Sequence, residues 1–380
     1  VTGDDGLALP FAAGSSYTGE EAVEISVHGS PASVRGLVEA CLRLGARSAR
    51  PGEFTLRAFM NGRLDLTQAE GVRDLVLART DAQLRRAVLL REGAVRKLLA
   101  PARDALTGAL AAVEASTDFS EEVGDIDAGA VSTMIDSALT QIGRALEGAR
   151  ASRVVRHGLT VVIAGEPNVG KSSLLNALVQ ADRAIVSAVP GTTRDTVEEE
   201  IEIDGVSVRL VDTAGLRQAG GEVERLGIER ARSSMAAADG VVCVVDATRP
   251  VAAWPWAEAD LVGRPSILVA NKADLPEARP VEGALSVSAK TGEGLEAVRS
   301  AFRQWVGDTD GGLINERHVP LLEQAADAAR QAMETLAQPV PADLAAVALR
   351  QALRLLGEVT GDTTPPDVID RVFRDFCIGK

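Results

Sequence analysis

The sequence is poor in cysteine, in lysine and in long apolar runs, and each shortage narrows what the chain does. Three cysteines in 380 residues, Cys41, Cys243 and Cys377, are too few and too scattered for a disulfide framework or a zinc cluster. No apolar run approaches the length of a membrane span and no secretory leader opens the chain, so a cytoplasmic protein with no membrane partner is expected. Positive charge is outnumbered, 40 Lys and Arg against 54 Asp and Glu. The net charge of −14 argues against nucleic-acid binding spread over the whole surface, while leaving local basic patches open. The basic runs 85–103 and 144–157 read first as solvated helix faces. Of the 40 basic residues only Lys97, Lys171, Lys272, Lys290 and Lys380 are lysine. Arg and Lys are not interchangeable at a shaped site, so a surviving Lys marks a place where a compact ammonium or a flexible stem is needed.

What is present is ordinary in bulk, with 46% hydrophobic and 25% charged residues, and the length allows two or three domains. Residues 1–62 mix an alternating stretch, "AVEISVHG", with a helical one, "ASVRGLVEACLRLG", which predicts a small α+β domain. Residues 63–152 carry apolar side chains at spacings of three and four, the pattern of long packed helices. Residues 153–306 change period: "LTVVIAG", "VSVRLVD", "GVVCVVDA", "SILVAN" and "ALSVSA" alternate with helical segments, as in a parallel sheet with crossover helices. The helical pattern returns over 307–380. The fold class expected is therefore multidomain, α+β and α/β, with an α/β domain inserted between two halves of a helical domain.

"GEPNVGKSS", 165–173, follows a predicted strand and precedes a predicted helix, the context of a phosphate-binding loop. Backbone N–H groups around Asn168, Val169, Gly170 and Ser173 face phosphates there, Lys171 reaches the β- and γ-phosphates, and the Ser172 hydroxyl ligates Mg²⁺. "DTAG" (Asp212, Thr213, Ala214, Gly215) ends another strand, with Asp212 near the metal and Gly215 placed to sense the γ-phosphate. "NKAD" ends a third, with Asn271, Lys272 and Asp274. Asp274 accepts from the N1–H and 2-amino group of guanine, a donor pair adenine lacks. "SAK" (Ser288, Ala289, Lys290) completes the base end.

These boxes resemble those of a TRAFAC-class GTPase. The flanking stretches "YTGEEAVEISVHG" (17–29), "RPGEFTLRAFMNGRLDLTQAE" (50–70), "SAVPGTTRDT" (187–196) and the closing "FCIGK" narrow the resemblance to the tRNA-modification GTPase family known as MnmE or TrmE. The resemblance implies a homodimer that joins an FAD-dependent partner subunit in a heterotetramer. It implies tRNA as the macromolecular substrate, with an aminomethyl-type group installed on carbon 5 of the wobble uridine. A one-carbon folate, 5-formyltetrahydrofolate or a relative, is expected in the N-terminal domain.

The same resemblance assigns roles. Leu216 stands where Ras-like enzymes place a water-orienting Gln, and Glu224 matches the family's replacement. A potassium ion takes the place of an arginine finger, held by Asn168 and by Ser187, Val189 and Thr192 of a loop that also brings Ala188, Pro190 and Gly191 to the nucleotide. Thr193 completes the Mg²⁺ shell, and Arg194 stabilises the switch. Glu24, Arg63 and Lys380 map to the folate site. The family's Gly-rich opening, with a further folate-contacting Arg, precedes the point matching Val1, so that contact is expected to be missing.

"CIGK" has the spacing of a prenylation box but lacks its aliphatic residue and a preceding polybasic run. Cys377 is then either a reactive thiol at the modification centre or a structural one anchoring the tail. Cys243 reads as a core thiol, Cys41 as similar, and His28 as a structural histidine. Two other functions stay open on the boxes alone: a ribosome-assembly GTPase and a slow regulatory switch without tRNA chemistry.

Overall fold

A computed structural model describes residues 4–118, 127–181, 198–212, 238–250, 264–307, 312–338, 341, 343–374 and 376. Its contacts divide the chain into two units, one of Val1–Leu77, Arg85–Ala149 and Leu313–Lys380, the other of Ala78–Leu84 and Arg150–Gly312.

The first unit opens with an antiparallel pair, β1 (Gly6–Phe11) and β2 (Ala22–Val27), followed by α1 (Pro31–Arg43), α2 (Glu53–Met60) and α3 (Leu66–Leu77). The division between units falls along α4 (Asp81–Arg91). The long helices α5 (Ala94–Asp118), α6 (Ala128–Glu147), α10 (His318–Leu336) and α11 (Asp343–Thr360) each pack on two of the others, closing a four-helix bundle. Their inward residues recur at helical spacing, as in Leu99, Ala102, Leu106, Ala109 and Val113 of α5 against Val131, Ile135, Ala138 and Ile142 of α6. Alanine is frequent in this seam, which lets the helices approach closely while Leu and Ile fill the gaps.

A smaller core joins α2 and α3 to α12 (Pro366–Arg374) through Leu66, Ala69, Val372, Phe373 and Phe376. Phe373 stacks obliquely on Phe59 at 6.2 Å and on Phe376 at 5.0 Å. Phe376, the first residue of "FCIGK", is 6% exposed, and burying such a ring contributes about 1.5–3 kcal/mol to stability. Cys377 and Lys380 lie outside the described residues.

The second unit is a six-stranded sheet in the order β4-β5-β3-β6-β7-β8. Its strands are β3 (Leu159–Gly165), β4 (Glu198–Ile203), β5 (Val206–Asp212), β6 (Gly240–Asp246), β7 (Ser266–Asn271) and β8 (Ala284–Ser286), accompanied by α7 (Ala149–His157), α8 (Lys171–Ala181) and α9 (Leu295–Val306). All pairings are parallel except β4–β5. The central strands read as continuous apolar runs because both their faces are covered. The edge strand β4, "EEEIEI", goes unrecognised in the sequence because glutamates dominate it, yet Ile201 and Ile203 are buried at a period of two. "ALSVSA" forms a strand over 284–286 alone.

Cys243 is fully buried in β6, where burial pushes its thiol up to about 12. Cys41 is partly buried on α1. His28 is largely exposed, its Nδ1 sitting 2.6 Å from Asp4. No described helix is long and apolar enough to cross a membrane.

Candidate nucleotide site

β3 has β5 on one side and β6 on the other, so the chain changes direction across the sheet at its carboxyl end. A crevice opens for a ligand at such a switch point. The loop 165–170 leaves β3 there and runs into α8, whose first turn carries Lys171, Ser172 and Ser173. Asn168 sits at φ 66°, in the left-handed region that asparagine tolerates better than most residues. Gly170, at φ 94°, has no such freedom to be replaced: a Cβ there would stand 2.3 Å from Asn271 Nδ2. Val169 is buried against the sheet and fixes the loop from below.

The charged groups converge on this loop. Lys171 is 5% exposed, and its ammonium donates to the carbonyls of Gly165 (3.1 Å) and Glu166 (2.8 Å), which holds it within the loop. Ser172 Oγ donates to Asp212 Oδ2 at 2.6 Å. Asp212 is buried at the end of β5, so a hydroxyl and a carboxylate, both hard oxygen donors, meet where the phosphate loop ends. That donor chemistry fits Mg²⁺, whose usual setting is one or two such oxygens with phosphates and water completing the shell.

The base end is tied to the phosphate end by one side chain. Asn271, at the end of β7, donates from Nδ2 to the Val169 carbonyl (2.9 Å) and accepts at Oδ1 from the Ala289 N–H (3.0 Å). The third and fourth boxes are joined again where Ser288 Oγ donates to Asp274 Oδ1 at 2.7 Å and accepts from Thr291 N–H at 3.1 Å. Lys290 is exposed beside them.

Lys272 takes the left-handed φ of 69°, which costs an ordinary residue roughly 1–2 kcal/mol. Its ammonium reaches Asp246 Oδ2 at 2.6 Å, an ion pair that offsets the cost. Burial pushes the Asp246 carboxyl up, but the bonds from Lys272 and Thr248 outweigh it and hold it at about 2. Asp246 escapes sequence reading. Its signal is weak, an acid ending the apolar run "GVVCVVD" at the strand end that faces the site.

The structure thus brings together Asn168, Val169, Gly170, Lys171, Ser172, Ser173, Asp212, Asn271, Lys272, Asp274, Ser288, Ala289 and Lys290. Thr213, Ala214, Gly215, Leu216 and Glu224 lie outside the described residues, as do the 187–193 loop and Arg194.

In the other unit, Arg63 is exposed and lines a cleft of about 610 Å³ with Phe59, Met60, Asp65, Gln68, Arg96, Thr360, Gly361 and Asp362. The charges across it are already matched in part: Arg96 Nε pairs with Asp65 (2.9 Å), and Asp362 accepts from Arg96 (2.9 Å) and Arg103 (2.5 Å). Glu24 is exposed on β2 opposite Leu9, and no hydrogen bond or ion pair joins it to Arg63 among the described residues.

Two family descriptions match the chain, "MnmE helical domain" over residues 66–377 and "GTP-binding protein TrmE N-terminus" over residues 1–63. The tRNA modification GTPase MnmE of Symbiobacterium thermophilum is 42% identical over 99% of this chain and 86% of its own length. That of Pseudomonas aeruginosa is 41% identical over 99% of this chain and 87% of its own. The solved G domain of the T. maritima FeoB iron transporter is 27% identical over 39% of this chain and 98% of its own, with a TM-score of 0.30. With both family descriptions together spanning nearly every residue and full-length relatives above 40% identity, the chain belongs to the MnmE (TrmE) family of tRNA-modification GTPases, GTP hydrolases with a P-loop domain set in a helical one.

Proposed function

We propose that this chain is a potassium- and magnesium-dependent GTPase. It works as a homodimer with an FAD-dependent partner subunit to modify carbon 5 of the wobble uridine of certain tRNAs, with 5-formyltetrahydrofolate or a related folate as one-carbon cofactor. The observation that supports the nucleotide reading most directly is Asp274, a carboxylate held by Ser288 Oγ at 2.7 Å beside the Asn271 bridge to the phosphate loop. A carboxylate fixed there suits guanine, and a charge-assisted bond is worth about 1.5–3 kcal/mol of discrimination against adenine. On the domain reading, 1–62 belongs to the folate-binding domain, 63–152 and 307–380 to the helical domain, and 153–306 to the GTPase domain.

Lys171 supplies fixed positive charge at the β- and γ-phosphates, and the loop N–H groups before α8 bind the same oxygens. Ser172 and Thr193 would hold Mg²⁺ with Asp212 beside them, and the ion supplies neutralisation of the charge that develops on the phosphates. Asn168, Ser187, Val189 and Thr192 would hold K⁺, a ring of neutral oxygens suited to a large monovalent cation. Glu224 orients the attacking water, through a second water, in place of the absent glutamine. Attack on the γ-phosphorus then releases GDP and phosphate. Glu24, Arg63 and Lys380 take the folate, and Cys377 supplies a thiol to the modification chemistry.

Nucleoside analysis of tRNA from cells lacking the protein tests the reading as a whole. Loss of the modified wobble uridine is expected. Normal tRNA with accumulating ribosome precursors would favour an assembly GTPase, and normal tRNA with normal ribosomes a regulatory switch.

A further inference from the structure

The unit that holds the cleft also contains a buried polar chain that the nucleotide site does not use. Its centre is Glu70 of α3, 4% exposed. Arg317 Nε donates to Glu70 Oε1 at 2.7 Å, and Asn315 Nδ2 donates to Oε2 at 2.9 Å. His318 accepts the Asn315 N–H at Nδ1 (3.1 Å) and turns Nε2 to 3.2 Å from Glu70, close enough for attraction though too bent for a hydrogen bond. Burial pushes the Glu70 carboxyl up, but Arg317 and His318 outweigh it and hold it well below the usual carboxylate range. A buried carboxylate so fully partnered is costly to assemble and strongly resists loss of any one partner.

The chain of contacts has two ends. At one, Asn315 Oδ1 accepts from Arg86, whose guanidinium also pairs with Asp74 at 3.0 Å and reaches the Leu313 carbonyl at 3.5 Å. Leu313–Asn315 are the first residues after the chain leaves the GTPase unit at Gly312, and Arg86 follows the 78–84 segment that belongs to that unit. At the other end, Arg317 Nη1 and Nη2 donate to the carbonyls of Glu358 (3.2 Å) and Val359 (3.0 Å). These lie in the last turn of α11, where carbonyls have no helical partner and the helix dipole favours a cation. The next three residues, Thr360, Gly361 and Asp362, form one edge of the 610 Å³ cleft. Gly361 makes the turn at φ 99°, and the N–H groups of Gly361 and Asp362 both donate to the Gly357 carbonyl, at 2.9 and 2.8 Å.

We propose that Arg317 is a positioning residue. Through Glu70, Asn315 and Arg86 it ties the two segments by which the chain leaves the GTPase unit, after Leu84 and after Gly312, to the Thr360–Asp362 edge of the cleft, so that the nucleotide state changes the cleft. This rests on the reading that the cleft serves the modification chemistry. An arginine is required because one planar fork serves the carboxylate with Nε and two carbonyls with its terminal nitrogens at once. A lysine keeps the charge beside Glu70 and loses the fork.

The test is amide hydrogen exchange over residues 357–363 in the full-length protein, with GDP and with a non-hydrolysable GTP analogue. In the native protein the Gly361 and Asp362 amides should differ between the two nucleotides by roughly threefold or more in exchange rate, as local opening energies permit. Arg317→Lys should erase that difference while keeping native circular dichroism and a GTP turnover within about twofold of the parent. If Arg317→Lys does not fold, Glu70→Gln with Arg317→Met removes both charges together and should erase the difference likewise. Native amides that ignore the nucleotide, or a difference that survives in either variant, overturn the proposal. The cleft's role is read separately: folate binding unaffected by Arg63→Ala would sink that assignment and leave the exchange result standing.

Discussion

Asn271 and Val169 are 102 residues apart, yet the Asn271 amide donates to the Val169 carbonyl at 2.9 Å inside a buried contact. The box proposed to read the base and the loop proposed to hold the phosphates are therefore joined by a direct hydrogen bond. Asn271→Ala leaves that carbonyl buried without its donor and frees the Ala289 N–H, a loss of about 1–3 kcal/mol. GTP affinity measured by calorimetry should fall by about 10- to 100-fold, with the loss extending to free GDP. An alanine variant that binds as the parent does would mean the bridge is incidental.

On the proposed reading, Asp274 selects the base. Asp274→Asn exchanges an acceptor for a donor, so GTP binding should weaken and xanthosine triphosphate binding improve. Competition between the two nucleotides measures it directly. An unchanged preference would remove this carboxylate from the base pocket.

Potassium should accelerate hydrolysis more than sodium, and the advantage should require two GTPase domains to meet. Asn168→Ala should lose most of the difference while leaving Mg²⁺ dependence in place. Phosphate release measured in matched chloride salts decides the matter, and equal rates for the parent protein would end the potassium reading.

Glu224→Ala should bind GTP almost normally and hydrolyse it far more slowly, by the ~10²–10⁴-fold typical of losing a positioned proton-handling group. Single-turnover hydrolysis separates the two effects. Parent-like turnover would assign the water to another residue.

Cys377 is proposed as a reactive thiol of the modification chemistry, next in sequence to the buried Phe376. Cys377→Ser should leave GTP hydrolysis intact and abolish the wobble-uridine modification. Modified uridine at parental levels in that variant would make the thiol a packing group.

The nucleotide half of the molecule is legible in the sequence because its residues act through short contiguous boxes, each at the end of an apolar strand. Lys171, Ser172, Asp212, Asn271 and Asp274 are named by local pattern, and the sheet brings them together. What escapes is long-range. Asp246 matters because Lys272 lands beside it, and nothing within "GVVCVVD" says so. The Glu70–Arg317 pair spans 247 residues, and either side chain alone looks like one more charge on a helix. The edge strand β4 is hidden by its glutamates, and the 78–84 segment joins the GTPase unit although its sequence continues a helical pattern.

The scarcity of lysine has a practical consequence. Of the four lysines among the described residues, Lys171 is enclosed by the phosphate loop, Lys272 is paired at the end of the strand carrying the proposed base-binding box, and Lys290 stands exposed next to them. Lys97, exposed on α5, belongs to the other unit. An acylating reagent consequently meets a target set concentrated in one functional region, with Lys97 as an internal reference. Nucleotide binding should therefore change the acylation of Lys272 and Lys290 relative to Lys97, a pattern mass spectrometry can read without a fluorophore, a tag or any change of sequence.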